Sequence, residues 1–287
     1  MDLTIIVPVY NGADTLDEQL DALASQEWTG EWEVVVVDNA STDATPQLIA
    51  DRVTRDHRFR VVRADAAHNL SYVRNVGVQA TTAPAVAFAD ADDVVGDSWV
   101  AAIGDALAEH PLVGSRLEYE RLNPPGTAAG RAAFQSSGIG RFFGLPNLAG
   151  AGHGCSRQLF ERLGGNDERW DDTGEDFDFS FRAARDLGVE PVFVAGAVYH
   201  YRRRAEPRAA FRQARRYGRS HVALYRDFGR GDGANRGSQR QAAKTDLWLL
   251  LHVHQVFRPE TRLAWAWKAG IRLGRLEASL RLRTLYL

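Results

Sequence analysis

Two clusters of acidic residues in this 287-residue chain have a spacing that suits charge-based chemistry. The first, Asp90-Ala-Asp92-Asp93, follows the apolar run AVAF, and the second, Glu175-Asp176, precedes an apolar helical pattern. Asp90 and Asp92 would point to the same side of an extended segment. Crowded carboxylates repel each other, and a hard divalent cation such as Mg²⁺ or Mn²⁺ relieves that repulsion while keeping phosphate or water oxygens as its other ligands. The first cluster therefore favours a metal that holds a diphosphate, although an acidic turn before a helix has the same pattern.

Polar or aromatic residues also follow two earlier apolar runs. Tyr10 ends the run TIIVPVY, and Asp38 ends EVVVVD. Ligands of open α/β sheets bind outside the carboxyl ends of the strands. We therefore expect Tyr10, Asp38 and the first acidic cluster to meet at one edge of a sheet, although Asp38 alone would also suit a turn.

Alternating strand and helix signals over the first hundred residues predict βαβ units with a parallel sheet. Thr15-x-x-Glu18 has the pattern of a capping box, and Thr45-Pro46 that of an N-cap followed by the first helical residue. Residues 121–150 have the composition of a long loop. Helical patterns return at 156–163, 175–187 and from Pro207 to about Phe228, and residues 229–241 have linker composition.

Composition excludes several classes of protein. The 35 basic and 37 acidic residues give a net charge of −2, which provides no global attraction to nucleic acid. The single cysteine, Cys155, excludes an intramolecular disulfide and a thiolate-rich zinc site, and we expect it to be buried. The N-terminus lacks the basic region of a signal peptide, and the uncharged stretch 247–257 is shorter than the ~20 apolar residues of a spanning helix. We therefore expect a cytoplasmic protein.

Five segments in order, between residue 3 and about residue 204, resemble the family 2 glycosyltransferases, which have the GT-A fold. They are TIIVPVYNGADTLDEQLDALASQ, EVVVVDNASTDAT, NLSYVRNVGVQATTAPAVAFADADDVV, GGNDERWDDTGEDFDFSFRAARDLG and VYHYRRR. The resemblance implies a wound, mostly parallel sheet flanked by helices, and the helical pattern after it predicts a C-terminal helical extension. Its catalytic domain would cover 1–205, with a nucleotide-sugar half at about 1–115 and an acceptor half at about 116–205. An Arg-rich helical extension, 206–287, would follow, with a flexible linker near 229–241.

The resemblance also implies residue roles. It assigns nucleotide binding to Pro8, Tyr10, Asp38, Arg74 and Asp90, and metal binding to Asp92, Asp90 and His200. Tyr10 would stack on the base and Asp38 would accept its imino N–H. Asp93 would support the metal ligands, and the cofactor would be Mn²⁺ or Mg²⁺. A histidine that only closes a strand would also fit the position of His200.

Catalysis is assigned by the same resemblance to the second acidic pair. Asp176 would be the general base that takes the proton of the acceptor hydroxyl, and Glu175 would line the acceptor or sugar site. A first-turn acid that only complements the helix dipole is the alternative. Asp178 competes for the base role, but a residue two positions further along a helix points to another face. The implied reaction is an inverting transfer from a nucleoside-diphosphate sugar, UDP-linked above all, to an acceptor hydroxyl.

Three further residues are weaker candidates. Gly152 and His153 belong to a glycine-rich loop that would lie near the sugar or the acceptor, and Arg202 begins an Arg run that suits closure over a diphosphate. The acceptor would be a carbohydrate, a lipid-linked compound or a small molecule.

The last helical segment has an apolar stripe opposite a basic face, and this pattern fits contact with an anionic membrane, with the catalytic domain or with a second subunit. The stripe consists of Leu263, Trp267, Ile271, Ala278, Leu282 and Leu285, and the basic face includes Arg262, Lys268, Arg272, Arg275 and Arg283.

Two other functions share some of these features. A sugar nucleotidyltransferase also combines a wound sheet with a carboxylate-held metal, but it resembles proteins with a basic, glycine-rich phosphate loop after the first strand. Here that loop is NGADTLDEQL, which has no Arg or Lys. A non-catalytic nucleotide-sugar-binding module would not need both acidic clusters.

Overall fold

A mixed eight-stranded sheet forms the centre of the computed structural model, which describes residues 1–125, 127, 133–170, 173–229 and 234–287. Its strands, with a separate hairpin of β7 and β8, are β1 (Leu3–Val9), β2 (Trp32–Asp38), β3 (Phe59–Arg63), β4 (Ala85–Phe88), β5 (Val94–Val95), β6 (Leu112–Glu118), β7 (Gly140–Phe142), β8 (Leu145–Asn147), β9 (His153–Ser156) and β10 (Val192–His200). The order in the sheet is β3-β2-β1-β4-β9-β6-β10-β5. The strands β3, β2, β1 and β4 are parallel to one another, and β9 runs antiparallel to β4 and β6.

Helices cover both faces of this sheet and form the C-terminal part of the chain. They are α1 (Leu16–Ala24), α2 (Thr45–Arg55), α3 (Leu70–Gln79), α4 (Trp99–Glu109), α5 (Arg157–Arg162), α6 (Glu175–Leu187), α7 (Pro207–Phe228), α8 (Ala234–Leu251) and α9 (Pro259–Arg281). A short 3₁₀ helix, Val253–Phe257, joins the last two. The predicted alternation of strands and helices over the first hundred residues is confirmed.

The central strands are buried on both faces, as a parallel sheet between two helical layers requires. All seven residues of β1 are buried. Leu3 and Ile5 pack into one apolar core with α1 and α4, whereas Ile6 packs into the other with α3 and α6. This alternation follows from the two-residue period of a strand, and it fixes the register at which the strands end.

Some local predictions fail in instructive ways. Thr15 is the N-cap of α1, but its hydroxyl donates to the Ala91 carbonyl (3.1 Å) and makes no capping hydrogen bond. Helix α2 begins at Thr45 with Ala44 as N-cap, one residue earlier than predicted. The predicted loop 121–150 contains the β7–β8 hairpin, whose turn residues Phe143 and Gly144 both have positive φ. In the predicted linker 229–241, residues 230–233 lie outside the described ranges and α8 begins at Ala234.

Helices α7 and α9 pack with their backbones in close approach, which is the main contact of the C-terminal part. A Cβ on Gly274 would overlap the carbonyl of Arg215, and one on Gly270 would lie 2.5 Å from the carbonyl of Phe211. The predicted stripe on α9 is partly buried: Ala278 packs in an apolar cluster with Val222 of α7, and Leu263 is also buried. Arg272 was expected on the basic face, but it is buried and forms an ion pair with Asp246 of α8 (2.5 and 2.7 Å).

Exposed apolar side chains gather at the other end of α8. Leu250, Leu251 and Phe257 are 74%, 65% and 85% exposed. None of the helices in the described ranges combines the length and the apolar character needed to span a membrane.

Candidate active site

The carboxyl ends of β1 and β2 place Tyr10 and Asp38 at one edge of the sheet. Tyr10 follows β1 directly, is 53% exposed, and lies with its ring 4.8 Å from that of His68. Asp38 ends β2, is almost fully buried, and accepts a hydrogen bond from the Ser41 backbone N–H (3.0 Å). Pro8 is buried in β1 and pairs with Val37. An exposed aromatic ring therefore lies at the same sheet edge as a fixed carboxylate, an arrangement that suits a flat heterocycle.

Arg74 of α3 connects the two acidic clusters. Its Nη2 donates to Asp90 Oδ1 (3.1 Å) and to the Gly150 carbonyl (3.2 Å), and its Nη1 donates to Glu175 Oε1 (3.0 Å). The side chain is only 1% exposed and its guanidinium lies over the Phe88 ring. Removing one partner from such a buried ionic group typically costs about 3–5 kcal/mol. Arg74 therefore holds the strand end and the α6 N-terminus together, and its predicted contact with the nucleotide stays a prediction.

Asp176 lies beside this network, in the first turn of α6. Its Oδ2 accepts from the Gly150 backbone N–H and its Oδ1 from that of Phe177, both at 2.8 Å. Burial and the neighbouring Glu175 carboxylate raise the pKa of Asp176 to about 7. A carboxyl group with a pKa near neutrality is suited to accept a proton at working pH. A Cβ at Gly150 would lie 3.2 Å from Asp176 Oδ2, so the absence of a side chain there leaves room for this contact.

Asp178 faces a different part of the molecule, as the helical spacing predicts. It is fully buried and pairs with Arg182 (2.7 Å) and Arg169 (3.4 Å). Both oxygens are thus engaged in structural ion pairs, away from the Gly150 contact of Asp176. The geometry favours Asp176 over Asp178 for the base role, which stays a prediction.

The residues of the first cluster are held by the Arg run after β10. Arg204 Nη2 lies 2.7 Å from Asp92 Oδ2, and the Arg202 backbone N–H donates to Asp93 Oδ1 (2.7 Å). Arg202 also donates from Nε to the Asp92 carbonyl (2.8 Å), so it clamps the acidic loop. Burial together with the neighbouring carboxylates raises the pKa values of Asp92 and Asp93. The loop carries more negative charge than its surroundings readily stabilise.

This donor set fits a hard divalent cation. Asp93 Oδ2 is buried and has no hydrogen-bond partner among the described residues, while a cationic guanidinium occupies Asp92. The Nδ1 of His200 is 2.6 Å from Glu118 Oε2, and such a carboxylate partner orients metal-binding histidines. In the described part of the chain no group of three His, Cys, Asp or Glu side chains is arranged to hold a metal by itself. A cation would therefore need further oxygen ligands, such as those of a diphosphate.

The glycine-rich loop, residues 150–154, contacts Arg74 and the second acidic cluster through Gly150. His153 begins β9 and is buried, with its ring stacked 4.7 Å from that of Phe88 and its Nδ1 2.8 Å from the Gly150 carbonyl. Burial and the Arg74 charge lower the pKa of His153 to about 3, which keeps the ring neutral. Gly152 has φ +68° and packs against the Tyr199 ring. Both residues support the loop that carries Gly150, and their predicted role at the sugar or acceptor stays untested.

Two residues that sequence reasoning missed hold the backbone of the acidic loop in place. Gln19 of α1 donates to the Asp90 carbonyl (3.0 Å) and accepts from the Val95 backbone N–H (3.0 Å). The Tyr199 hydroxyl, on β10, accepts from the Asp90 backbone N–H (2.7 Å). For Gln19 a weak signal existed, since it is a polar residue on the apolar face of α1, whereas nothing in the sequence pointed to this contact of Tyr199.

Comparison with known proteins adds an independent finding. The family model described as Glycosyl transferase family 2 matches residues 4–164, more than half of the chain. A glycosyltransferase of Haloferax volcanii, AglE, is 28% identical over 206 residues, which are 66% of this chain and 67% of that protein. The succinoglycan biosynthesis protein ExoO of Rhizobium meliloti is 38% identical over 94 residues, but this covers only 33% of this chain and 26% of ExoO.

Solved structures show the same fold at low sequence identity. The mannosyltransferase PcManGT from Pyrobaculum calidifontis, solved with GDP-Man and Mn²⁺, superposes with a TM-score of 0.63 at 20% identity, over 96% of this chain and 86% of that one. S. aureus TarS 1–349, solved with UDP-GlcNAc, gives 0.55 at 18% identity over 99% and 93%. The expected GT-A fold is thereby confirmed. With the family model matched across the residues that carry the first acidic cluster, the chain belongs to glycosyl transferase family 2.

Proposed function

We propose that this protein is a metal-dependent inverting glycosyltransferase that moves a sugar from a nucleoside diphosphate to an acceptor hydroxyl, with Asp176 as general base. The observation that carries the proposal is the double pairing of Arg74 with Asp90 and Glu175. One buried guanidinium thus contacts both the strand end that carries Asp90 and the first turn of α6 that carries Glu175, which supports a site where the diphosphate and the base lie close together. A protein that only bound nucleotide would not need the second pair.

The residues divide the reaction between them. Tyr10 and Asp38 bind the base of the nucleotide, and Asp90 and Asp92 with His200 hold Mn²⁺ or Mg²⁺. When bound, that cation neutralises the leaving diphosphate. Asp176 takes the proton of the acceptor hydroxyl as the oxygen attacks the anomeric carbon from the face opposite the leaving group. Its two backbone donors, Gly150 and Phe177, hold the carboxylate in place for that step.

The donor is proposed to be UDP-linked. Asp38 offers a carboxylate that can accept the imino N–H of uracil. The similar solved structures include complexes with UDP, UDP-GlcNAc and GDP-Man, so a guanine nucleotide is the competing donor. A thermal-shift series with UDP, GDP and dTDP in the presence of Mn²⁺ tests this choice. We expect UDP to stabilise the protein most. A larger stabilisation by GDP would instead indicate a GDP-linked donor.

Product analysis separates the candidate functions. The protein is incubated with UDP-sugars, with and without Mn²⁺, and released products are identified. We expect nucleoside diphosphate, formed only with the metal. Pyrophosphate dependence or release would indicate a nucleotidyltransferase, and binding without turnover would indicate a binding module.

We also propose that the exposed apolar residues at the α8–α9 turn contact a membrane peripherally, at the cytoplasmic face. Leu250, Leu251 and Phe257 are exposed, and Arg258 and Arg262 lie next to them in the sequence. Apolar side chains beside cations are typical of surfaces that bind anionic lipid. Because the stripe on α9 is partly buried, this turn is the better candidate surface.

Flotation with vesicles of phosphatidylcholine and phosphatidylglycerol tests this contact. We expect the parent protein to float and the variant L250S/L251S/F257S to stay in solution, while a variant of other exposed apolar residues, V61S/L70S, floats like the parent. Equal flotation of the triple variant would exclude the turn, and a dimer that the triple variant loses would point to self-association instead.

A further inference from the structure

Two fully buried side chains hold both backbone polar groups of Asp90, the first residue of the acidic loop Asp90–Asp93. The Tyr199 hydroxyl accepts a hydrogen bond from the Asp90 N–H (2.7 Å), and Gln19 Nε2 donates to the Asp90 carbonyl (3.0 Å). Strand β4 ends two residues before Asp90. Side chains therefore satisfy the backbone of Asp90 at the point where the ladder between β1 and β4 has stopped.

The same two residues also fix the far end of the loop. Gln19 Oε1 accepts from the Val95 backbone N–H (3.0 Å), and Val95 pairs with Tyr199 in the antiparallel ladder of β5 and β10. Between the two ends, the Thr15 hydroxyl donates to the Ala91 carbonyl (3.1 Å). Gln19 and Tyr199 thus set the distance between the two ends of the loop, and the acidic segment follows a fixed path between them.

Both side chains are themselves confined by the core. The Tyr199 ring packs against the Trp99 ring, with centroids 6.0 Å apart, and a Cβ on Gly152 would lie 2.7 Å from Tyr199 Cδ2. Gln19 lies on the buried face of α1 together with the leucines of that helix. A polar group in such surroundings costs free energy unless its hydrogen bonds are made. The hydrogen bonds of Gln19 and Tyr199 to the loop therefore hold it at one position.

The loop needs this support because its carboxylates, at positions 90, 92 and 93, repel one another. Mg²⁺ requires a near-octahedral arrangement with oxygen ligands at about 2.0–2.1 Å, so a loop that spread apart would lose affinity for it. In metalloproteins, groups that orient the ligands without touching the metal contribute about 10–100-fold to metal affinity. A loop held at its backbone keeps Asp90 and Asp92 on the same side of the segment despite their repulsion.

We propose that Tyr199 and Gln19 are positioning residues for the divalent cation. By holding the N–H and the carbonyl of Asp90, they fix the direction in which Asp90 and Asp92 present their carboxylates, and they thereby set the affinity of the site for Mn²⁺ or Mg²⁺. In this role neither side chain binds the cation or the donor itself. The proposal rests on the proposed function, in which Asp90 and Asp92 hold the cation, and adds the residues that prepare this pair for it.

Isothermal titration of UDP into the full chain, with and without Mn²⁺, tests the positioning role. The readout is the gain in UDP affinity that Mn²⁺ provides, since a cation held by both the loop and the diphosphate strengthens UDP binding. Tyr199→Phe leaves the Asp90 N–H without its partner, and we expect it to reduce this gain about tenfold or more while the metal-free affinity stays at the parent value. Gln19→Met should have the same effect, and it replaces Tyr199→Phe if that variant lacks a cooperative thermal transition.

Thr81→Val is the matched control at the other end of β4. The Thr81 hydroxyl accepts from the buried Ala83 backbone N–H (3.2 Å), so its loss also leaves a buried N–H without a partner. We expect this variant to lose stability but to keep the parent's gain from Mn²⁺. In rate measurements, Tyr199→Phe should raise the KM for Mn²⁺ about tenfold and keep most of kcat at saturating metal. A general loss of folded protein would lower kcat instead.

Three outcomes would contradict parts of this account. An unchanged gain in Tyr199→Phe and Gln19→Met would overturn the proposal, and so would an equal loss in Thr81→Val. A parent that gained no UDP affinity from Mn²⁺ would overturn the metal site and the positioning role together. A parent that gained affinity but released no nucleoside diphosphate would overturn only the proposed reaction, because a reduced gain in Tyr199→Phe would still support the positioning role.

Discussion

The two ends of the molecule place their charged groups by different means. In the sheet region, acids stand where apolar strands end, and a buried arginine, Arg74, connects them. In the C-terminal region, helical periodicity places arginines on one face of α7. The position of α7 depends on its close backbone contact with glycines of α9. The first arrangement depends on strand register and one ionic network, and the second on backbone packing. Substitutions in the two regions should therefore have separable effects on chemistry and on stability.

In the sheet region, a substitution in the acidic loop should affect the reaction rather than folding. Asp92→Asn should reduce the metal-dependent release of nucleoside diphosphate by about 1,000-fold, because the cation loses a charged ligand where leaving-group charge develops. Asp97→Asn, at an exposed acid a few residues away, should leave the rate near that of the parent. Steady-state rates across a Mn²⁺ titration measure both. A normal rate for Asp92→Asn would remove the acidic loop from the mechanism.

A substitution in the C-terminal region should affect stability first. Gly274→Ala introduces a Cβ that overlaps the Arg215 carbonyl, and overpacking of this kind costs about 2 kcal/mol of unfolding free energy. Gly138→Ala is the matched control, because nothing lies within 4 Å of its added Cβ. Urea unfolding gives both values. If the two variants unfolded at the same urea concentration, the close contact between α7 and α9 would not be a source of stability.

Asp176 should also lower stability as pH rises, which is a smaller effect. Its folded pKa of about 7 lies above the unfolded value of ~3.9, so the folded state binds more protons between these pH values. Protonated Asp176 makes its full contribution to the free energy of unfolding below about pH 4, and this contribution is lost as the pH rises through about 7. Asp176→Asn removes this dependence, so the variant should gain stability relative to the parent at alkaline pH.

The matched control is Asp186→Asn at the other end of α6. The hydrogen bonds that Asp186 accepts from Arg185 lower the pKa of Asp186. The small contribution of ionised Asp186 to the stability of the fold is therefore present above its unfolded pKa and is lost as the pH falls. Urea unfolding from about pH 5 to about pH 9 compares the variants. A parallel pH dependence of the parent and Asp176→Asn would contradict the raised pKa.

Sequence patterns were sufficient wherever a single strand or helix determines the position of a side chain. Tyr10 follows β1 directly, Asp38 ends β2 and Asp90 lies two residues after β4. The helical spacing of Asp176 and Asp178 also correctly placed them on different faces. The pairing of Arg74 with Glu175 joins residues 101 positions apart, and no local pattern encodes it. The fold class and the family were likewise predictable, because five ordered segments carry them.

Local patterns failed where tertiary contacts took over a polar group. Thr15 has the sequence of a cap but its hydroxyl is used by the acidic loop. The helical pattern placed Arg272 on the predicted basic face of α9, but it is buried because it forms an ion pair with Asp246 of the neighbouring helix α8. The contacts of Arg202 with Asp92 and Asp93 likewise join residues far apart in the sequence, and its predicted role at the diphosphate, sugar or acceptor stays a prediction. In each case a partner distant in sequence decides the outcome, and the pattern of one segment does not contain it.

The rate of nucleoside diphosphate release by Asp176→Asn tests the central claim most directly. The rate is measured with donor and Mn²⁺, beside the parent and Asp186→Asn, from about pH 5 to about pH 9, with UDP binding measured in parallel. We expect the parent rate to rise with pH to a plateau above about 7, and Asp176→Asn to lose about 100- to 10,000-fold while it still binds UDP. Turnover by Asp176→Asn at the parent rate, with the same pH profile, would contradict the assignment of Asp176 as the base.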